Sequence, residues 1–155
     1  MELREIDLEN YEEERDEIFS LVGKIWTRQE SLANVKHSIE RWGTSKKESG
    51  SYFYILNDGE IIGITGYYVI NENECKFGLR HHGTTIKGSG KPALDILITE
   101  IGVRHTRFRE LWELIPEGRE DLIPIFESWG FKEEKSDMDW EPKKDYYKYA
   151  LVRRS

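Results

Sequence analysis

The sequence predicts a mixed α/β fold, in which a twisted, mostly antiparallel sheet of six to seven strands is flanked by about four helices. Three observations lead to this prediction. Apolar residues recur at helical spacing in two early segments, 18–26 and 31–42. A turn signal, Asn-Asp-Gly-Glu at 57–60, separates two runs rich in aromatic and β-branched residues, as in a β-hairpin. A strand, a glycine-rich loop and an apolar helix then follow one another over residues 75–104.

The first third of the chain indicates a short extended segment followed by two helices. Leu3, Ile6 and Leu8 favour a short opening strand. The acidic run at 12–17 suits the N-terminus of the first helix, because negative charge is stabilised there by the helix dipole. A second helix is predicted over 31–42, and the residues after it, 43–50, are predicted to form a loop.

The centre of the chain predicts three antiparallel strands. The hairpin joins strands at 51–56 and 61–70, and glycines within the second strand indicate a bulge or a close backbone approach. After a turn at 71–74, alternating Cys75, Phe77 and Leu79 predict the third strand.

The remaining elements alternate between helix and strand. Residues 80–90 are polar and glycine-rich, so they are predicted as a loop, and Pro92 suits the first turn of a helix over 91–104. A short strand at 111–115 and a helix at 121–129 follow, the helix ending at a glycine C-cap. The last strands are predicted at 131–134 and 146–152.

Length and composition limit the classes of function. The chain has 155 residues, the size of one ordinary domain, so we expect a single domain over 1–155. A formal net charge of −7 disfavours nucleic acid as a partner, since phosphate neutralisation needs a surplus of Lys and Arg. The single cysteine, Cys75, allows no internal disulfide, and the polar start and the lack of a run of ~20 apolar residues favour a cytoplasmic protein without a membrane partner.

Residues 85–90 form the loop with the clearest signal of a binding site, in this case for an anion. They join a strand to a helix N-terminus, where backbone N–H groups lack partners and the helix dipole adds roughly half a positive charge. Gly88 and Gly90 let an anion approach the backbone, and Lys87 and Lys91 add charge. The pattern is neither a Walker loop nor a Rossmann fingerprint. Alone, it indicates either a phosphate site or a merely flexible loop.

Three pieces of the sequence together resemble the GNAT N-acetyltransferase family over nearly the whole chain. Asn-Asp-Gly-Glu-Ile-Ile-Gly at 57–63 is similar to the family's central pair of strands. Thr-Ile-Lys-Gly-Ser-Gly at 85–90 resembles its Gln/Arg-x-x-Gly-x-Gly/Ala pyrophosphate loop. Ile-Phe-Glu-Ser-Trp-Gly-Phe at 125–131 is similar to the end of its fourth helix. The resemblance implies a GNAT-type fold that uses acetyl-CoA as co-substrate and no metal.

The resemblance also implies which residues form the site. Donor contacts would come from the strand end, the loop, the first helical turn and the fourth helix, namely Leu79, Arg80, Thr85, Ile86, Lys87, Gly88, Ser89, Gly90, Lys91 and Phe126. A backbone N–H near residues 79–81 would stabilise the oxyanion. The general base that deprotonates the amine would be His81, His82 or Glu74, with Glu113 as a further alternative. Both histidines could instead be ordinary loop residues.

The sequence departs from the family pattern at four positions, one of which is near Arg119, where the family's Asn at the start of the fourth helix is absent. Thr85 stands where the family has Gln or Arg, and Arg80 where it has a small apolar residue. Phe126 replaces a tyrosine that commonly gives a proton to the leaving thiolate, and a phenyl ring cannot do so. The proton donor would then be another group, a water, or unnecessary.

The main functional hypothesis is therefore an acetyl-CoA-dependent N-acetyltransferase. It would transfer the acetyl group directly to a primary amine of a small molecule or a protein, as a monomer or homodimer. The alternative, favoured by Phe126, is a non-catalytic acyl-CoA-binding domain that keeps the fold without turnover. A transfer-RNA-acetylating enzyme of the same fold is disfavoured by the acidic charge.

Overall fold

The structure, a computed structural model, describes residues 1–73, 75–134 and 146–152. These residues contain eight strands and four α-helices: β1 (Glu2–Glu5), α1 (Tyr11–Ile25), α2 (Gln29–Ser45), β2 (Ser51–Asn57), β3 (Glu60–Asn71), β4 (Lys76–Leu79), β5 (Gly83–Thr84), α3 (Gly90–Arg104), β6 (Glu110–Pro116), α4 (Ile123–Ser128), β7 (Lys132–Glu133) and β8 (Tyr146–Val152). Short 3-10 helices precede α1 and α4. The predicted mixed α/β fold with mostly antiparallel strand pairs is confirmed.

The chain divides into two compact units. Unit 1 consists of Met1–Tyr68 and Arg80–Glu100, and unit 2 of the described residues within Val69–Leu79 and Ile101–Ser155. Residues 85–90, the predicted donor loop, lie wholly in unit 1. That the whole chain acts as one functional domain stays a prediction.

Unit 1 contains an antiparallel meander, the helices α1 and α2, and residues 90–100 of α3. β2 pairs with β1 on one side and with β3 on the other. The β2–β3 turn places Asp58 at φ 51° and Gly59 at φ 81°, the left-handed conformation that the Asn-Asp-Gly signal predicts for a tight hairpin. The apolar faces of α1 and α2 meet the sheet in one buried cluster, which includes Ile18, Val22, Ile39, Trp42, Tyr52 and Ile64. Burial of this cluster holds the strands that carry the donor loop.

Helix α2 is longer than the sequence predicts. The periodic stripe ends at Trp42, but the helix continues to Ser45 and ends at Lys46, whose φ is 54°. A Cβ at Gly43 would lie 2.4 Å from the Tyr11 ring, so the glycine lets α1 and α2 approach closely. Tertiary packing therefore outweighs the low helix propensity of glycine, and the prediction of a loop from residue 43 is wrong.

Among the described residues, unit 2 contains one parallel strand pair. β4 pairs in parallel with β6, but only from Lys76↔Glu110 to Gly78↔Trp112. β6 continues beside β8 in antiparallel register as far as Pro116. The C-terminal part of β6 is thus no longer paired with β4.

Helix α4 ends as the sequence predicts. Gly130 has φ 99°, and the Phe131 N–H donates to the Phe126 carbonyl at 3.0 Å, which closes the helix in a left-handed cap. The regular helix is shorter than predicted, since Glu120–Leu122 form a 3-10 turn before it. Among the described helices, none combines the length and the apolar character needed to cross a membrane.

Candidate active site

A bulge interrupts the pairing of the chain with β3 just before β5. The Arg80 N–H donates to the Gly66 carbonyl at 2.8 Å, and pairing with β3 resumes at Gly83. One β3 residue therefore lies opposite two residues, His81 and His82, which is the arrangement of a β-bulge. The sequence predicted only loop here, and this prediction is wrong for β5. A strand of two residues is too short to show a periodic pattern.

Two glycines of β3 allow this close packing. A Cβ at Gly63 would lie 2.3 Å from the Gly83 carbonyl oxygen, and one at Gly66 would lie 2.3 Å from the Ser51 carbonyl oxygen. A side chain at either position would push the adjoining backbone away. The close backbone approach predicted for these glycines is confirmed, and it brings the start of the donor loop directly against β3.

The donor loop, residues 85–90, is fixed by hydrogen bonds from its own side chains. Thr85 donates its N–H (2.7 Å) and its Oγ1 hydroxyl (3.2 Å) to the Ile62 carbonyl. Ser89 donates its N–H (3.2 Å) and its Oγ hydroxyl (2.6 Å) to the Ile86 carbonyl. The Thr84 hydroxyl also donates to Ile86 (3.0 Å) and lies 2.5 Å from the Ser89 Oγ. The loop is therefore ordered rather than merely flexible.

The outer side of the donor loop is open. Gly88 has φ 85°, and no atom lies within 4 Å of a Cβ built there. The N–H groups of Ile86, Lys87 and Gly88 donate to no backbone carbonyl of the residues that the structure describes. Helix α3 begins at Gly90, directly after the loop, so the positive end of its dipole lies next to these N–H groups. Unpaired backbone N–H groups next to a helix N-terminus are suited to an anion.

The lysines of the donor loop differ in their charge pairing. Lys91 forms an i,i+4 ion pair with Asp95 (2.5 Å), so part of its charge is neutralised. Lys87 forms no ion pair within the described part of the chain, and it is exposed. Lys87 is therefore the lysine of this loop whose charge no described ion pair offsets.

His82 uses both ring nitrogens within unit 1. Its Nδ1 lies 2.7 Å from the Thr65 Oγ1, and its Nε2 lies 2.8 Å from the Gly90 carbonyl oxygen. Thr65 is fully buried. Burial lowers the pKa of His82, while the hydrogen bond to Gly90 opposes this shift. The imidazole is thus held neutral between β3 and the first turn of α3.

His81 has different surroundings. Its Nδ1 lies 3.5 Å from the Tyr52 hydroxyl, and its ring meets the Trp26 ring edge-on at a centroid distance of 6.0 Å. Burial, followed by the charge of Arg80, lowers the pKa of His81 to about 4. Its Nε2 forms no hydrogen bond with the residues described in the structure. Neutral His81 therefore keeps one ring nitrogen for another group.

Arg80 is held by protein groups. Its Nε donates to the Tyr67 carbonyl (3.2 Å) and its Nη2 to the Ser49 carbonyl (2.7 Å). The guanidinium also lies over the rings of Tyr52 and Tyr68, at 5.1 and 5.4 Å from their centroids. Its side chain is only 8% exposed. These contacts disfavour a direct phosphate contact from the Arg80 side chain.

The other predicted site residues belong to unit 2 or lie outside the described residues. Leu79 is buried at the end of β4. Phe126 is buried on α4, where its ring packs edge-on against Trp129 and Phe131, each at 5.3 Å between centroids. Glu74, one of the candidate bases, lies outside the described residues. No described set of His, Cys, Asp or Glu is grouped as a metal site would need.

Glu113 is the first residue of β6 beyond its pairing with β4. Its Oε1 accepts the N–H of the next residue, Leu114, at 2.9 Å. Burial raises the pKa of Glu113 to about 8, and the hydrogen bond from Leu114 opposes only part of this shift. Glu113 is therefore a carboxyl group that changes its charge near neutral pH.

Sequence reasoning missed the residues that position the two histidines. Tyr52 and Trp26 contact His81, and Thr65 binds His82. Thr65 had a signal, because it is a polar side chain within the otherwise apolar run 61–65, and a buried hydroxyl needs a partner. Its partner could not be read from the sequence.

Comparison with solved structures shows which fold this is. The chain aligns with a mutant form of the spermidine N-acetyltransferase SpeG from Vibrio cholerae over 98% of its own length and 95% of that chain, with a TM-score of 0.62 and 11% identity. It aligns with an acetyltransferase from Streptococcus agalactiae over 98% of both chains, with a TM-score of 0.60 and 16% identity. The Campylobacter jejuni N-acetyltransferase PseH in complex with acetyl coenzyme A gives a TM-score of 0.60 at 17% identity, over 98% of this chain and 99% of that one.

These similarities are structural. A scan against family models gives no match, and neither does a search of curated proteins. The matched structures are GNAT acetyltransferases, and the chain has the GNAT fold that its sequence pattern predicts. At identities this low, the similarity shows the fold alone.

Proposed function

We propose that this chain, with its GNAT fold, is an N-acetyltransferase that transfers the acetyl group of acetyl-CoA directly to a primary amine. The observation that carries the proposal is the donor loop. It presents the N–H groups of Ile86, Lys87 and Gly88 beside the N-terminus of α3, with open space over Gly88. A pyrophosphate has the charge and the acceptor oxygens for such a seat.

The proposed reaction follows from the groups of unit 1. A neutral amine attacks the thioester carbonyl and the C–N bond forms. The attacking nitrogen then gives up one proton to water, and the tetrahedral intermediate expels the thiolate as the C–S bond breaks. The Arg80 N–H is bound to Gly66, so the His81 N–H, in the bulge, is the proposed donor to the oxyanion. Since Phe126 has no acidic proton, the thiolate would take its proton from water.

His81 is the proposed general base. An alkylamine has a pKa near ~10.4, so it must lose a proton before it attacks. The imidazole of His81 is neutral at pH 7 and keeps Nε2 for a substrate amine or a bridging water. His82 lacks such a nitrogen, since both of its ring atoms are bound. Glu113 remains the second candidate, because its pKa of about 8 suits proton transfer near neutral pH.

The pH dependence of turnover distinguishes the two bases. With His81 as the base, wild-type kcat/KM should show no ionisation of the enzyme between pH 6 and 8, because the His81 pKa is about 4. His81→Ala should then lower kcat by roughly 100-fold, the usual contribution of a general base. A rise centred near pH 8 that disappears in Glu113→Gln would instead identify Glu113. Both profiles are measured by thiol release at saturating acetyl-CoA.

Phe126 favours a second function, a non-catalytic acyl-CoA-binding domain. A buried phenyl ring packed against Trp129 and Phe131 cannot give a proton to a leaving thiolate. Such a domain would bind the donor and release no thiol with any amine.

Two measurements on the full chain test these functions. Calorimetry with coenzyme A should detect binding at the donor loop, and thiol release should be seen with one or more members of a panel of polyamines, amino sugars, amino acids and peptide amines. Binding with no thiol release across the panel would favour the non-catalytic domain. No binding would contradict both functions.

A further inference from the structure

We propose that His82 is a positioning residue of the donor site. As the neutral Nε2–H tautomer, His82 links the start of α3 to β3 and so fixes the backbone N–H groups that would bind the donor pyrophosphate. The inference rests on the proposed function, since it assigns a role within the same site. It separates two adjacent histidines that the sequence offers as equivalent candidate bases.

The hydrogen-bond partners determine the tautomer of His82. A carbonyl oxygen can only accept, so the contact between Nε2 and the Gly90 carbonyl (2.8 Å) requires a proton on Nε2. Burial keeps the ring neutral, which leaves a lone pair on Nδ1. The contact between Nδ1 and the Thr65 Oγ1 (2.7 Å) is then donated by the threonine hydroxyl. The order of donation is thus Thr65 to His82 to Gly90.

This chain of bonds completes the attachment of the donor loop to one strand. The start of the loop is held by Thr85, which donates twice to the Ile62 carbonyl of β3. The end of the loop is held by His82, which links Gly90 to Thr65 of the same strand. Both ends are therefore fixed to β3 at positions only three residues apart.

Fixing both ends of the loop matters for affinity, because the groups that would bind the pyrophosphate are backbone N–H groups of the loop itself. Gly88 has φ 85°, and no atom lies within 4 Å of a Cβ built there, so no described side chain packs on this side of the loop. The bonds of Thr84, Thr85 and Ser89 order the loop internally, but without the link at Gly90 its junction with α3 would have one attachment to β3 fewer, and the ligand would have to supply part of that order. Ordering on binding reduces affinity, whereas a preorganised seat avoids that cost.

Substitutions of Thr65 test this link without changing the histidine. Thr65→Val keeps the shape and removes the hydroxyl, whereas Thr65→Ser keeps the hydroxyl and removes a methyl group. We expect Thr65→Val to raise the Kd for coenzyme A on the order of tenfold through lost preorganisation, and Thr65→Ser to bind more tightly than Thr65→Val. The Kd is measured by calorimetry on the full chain.

Substitutions of His82 test the same link from its other side. His82→Leu removes both bonds and should weaken coenzyme A binding at least as much as Thr65→Val. His82→Gln keeps an N–H donor for Gly90 and should bind more tightly than His82→Leu. Because His82 acts through the loop, KM for acetyl-CoA should rise while kcat at saturating donor changes by less than about threefold. The double variant His82→Leu/Thr65→Val should be no weaker than His82→Leu alone.

Several results would overturn the proposal. A fall of kcat at saturating acetyl-CoA with unchanged KM would make His82 a base. Wild-type affinity in both His82→Leu and Thr65→Val would remove any positioning role. If His82→Leu fails to fold, the Thr65 pair and the nitrogen NMR shifts of wild-type His82 decide, since a protonated Nδ1 with a bare Nε2 contradicts the bond order. Absence of coenzyme A binding by the wild-type chain would instead contradict the proposed function, and the inference with it.

Discussion

Gly88→Glu is expected to abolish coenzyme A binding. A side chain at this position would extend into the open space where the pyrophosphate is proposed to lie, since no protein atom lies within 4 Å of its Cβ. The carboxylate would also place a negative charge at the N-terminal end of α3, where it would compete with phosphate for the loop N–H groups. Calorimetry should show no detectable binding at concentrations that saturate the wild-type chain.

Gly59→Glu is the matched control for this substitution. Gly59 has φ 81°, close to the 85° of Gly88, and it too has no atom within 4 Å of a built Cβ. It lies in the β2–β3 turn, so the same charge and the same backbone strain, roughly 1 kcal/mol or more, are introduced outside the donor loop. The two variants should lose similar thermal stability, and only Gly88→Glu should lose binding. Wild-type affinity in Gly88→Glu would contradict the assignment of the loop.

Glu113→Gln is expected to change how the stability of the fold depends on pH. The pKa of Glu113 in the folded chain is about 8, above its usual 4.5, so the folded state binds this proton more tightly than the unfolded state does. Its stabilising contribution is therefore complete below about pH 4.5 and is lost as pH rises through 8, with a slope of up to about 1.4 kcal/mol per pH unit. Glutamine is neutral at every pH and should remove this loss.

Urea unfolding at a series of pH values between 5 and 9 measures the effect. The free energy of unfolding of Glu113→Gln, minus that of the wild type, should increase steadily with pH up to about 8 and level off above it. Glu127→Gln, which changes an exposed glutamate of the same unit, serves as the control and should show no such increase. Parallel curves for Glu113→Gln and the wild type would show that the carboxyl group is not held protonated.

The fold could be predicted because its longest elements have local signals. The helical stripes of α1 and α2, the Asn-Asp-Gly turn and the glycine cap of α4 each depend on residues close together in sequence. The errors occur where distant contacts decide the structure. Helix α2 continues past Gly43 because that glycine fits against Tyr11, which lies 32 positions earlier in the chain.

In the candidate site, too, the features set by local sequence could be predicted and those set by distant contacts could not. The donor loop follows from its own glycines and its place before α3, so its position could be predicted from the sequence. The surroundings of His81 and His82 could not be predicted, because the residues that contact them there are distant in sequence. Thr65 lies 17 positions before His82, and Tyr52 lies 29 positions before His81. The two adjacent histidines thus have different partners because of a bulge that no periodic pattern reveals.

The side-chain bonds described for the donor loop lie within one stretch of sequence, residues 62–90. The side-chain bonds described above for Thr85, His82, Thr84 and Ser89 have their partners between Ile62 and Gly90, and none of these bonds reaches α1, α2 or unit 2. These side-chain bonds therefore depend on residues of one segment of the sequence only. In the proposed N-acetyltransferase, substitutions in α1 or α2 should therefore be able to change the choice of amine without breaking the bonds of this loop.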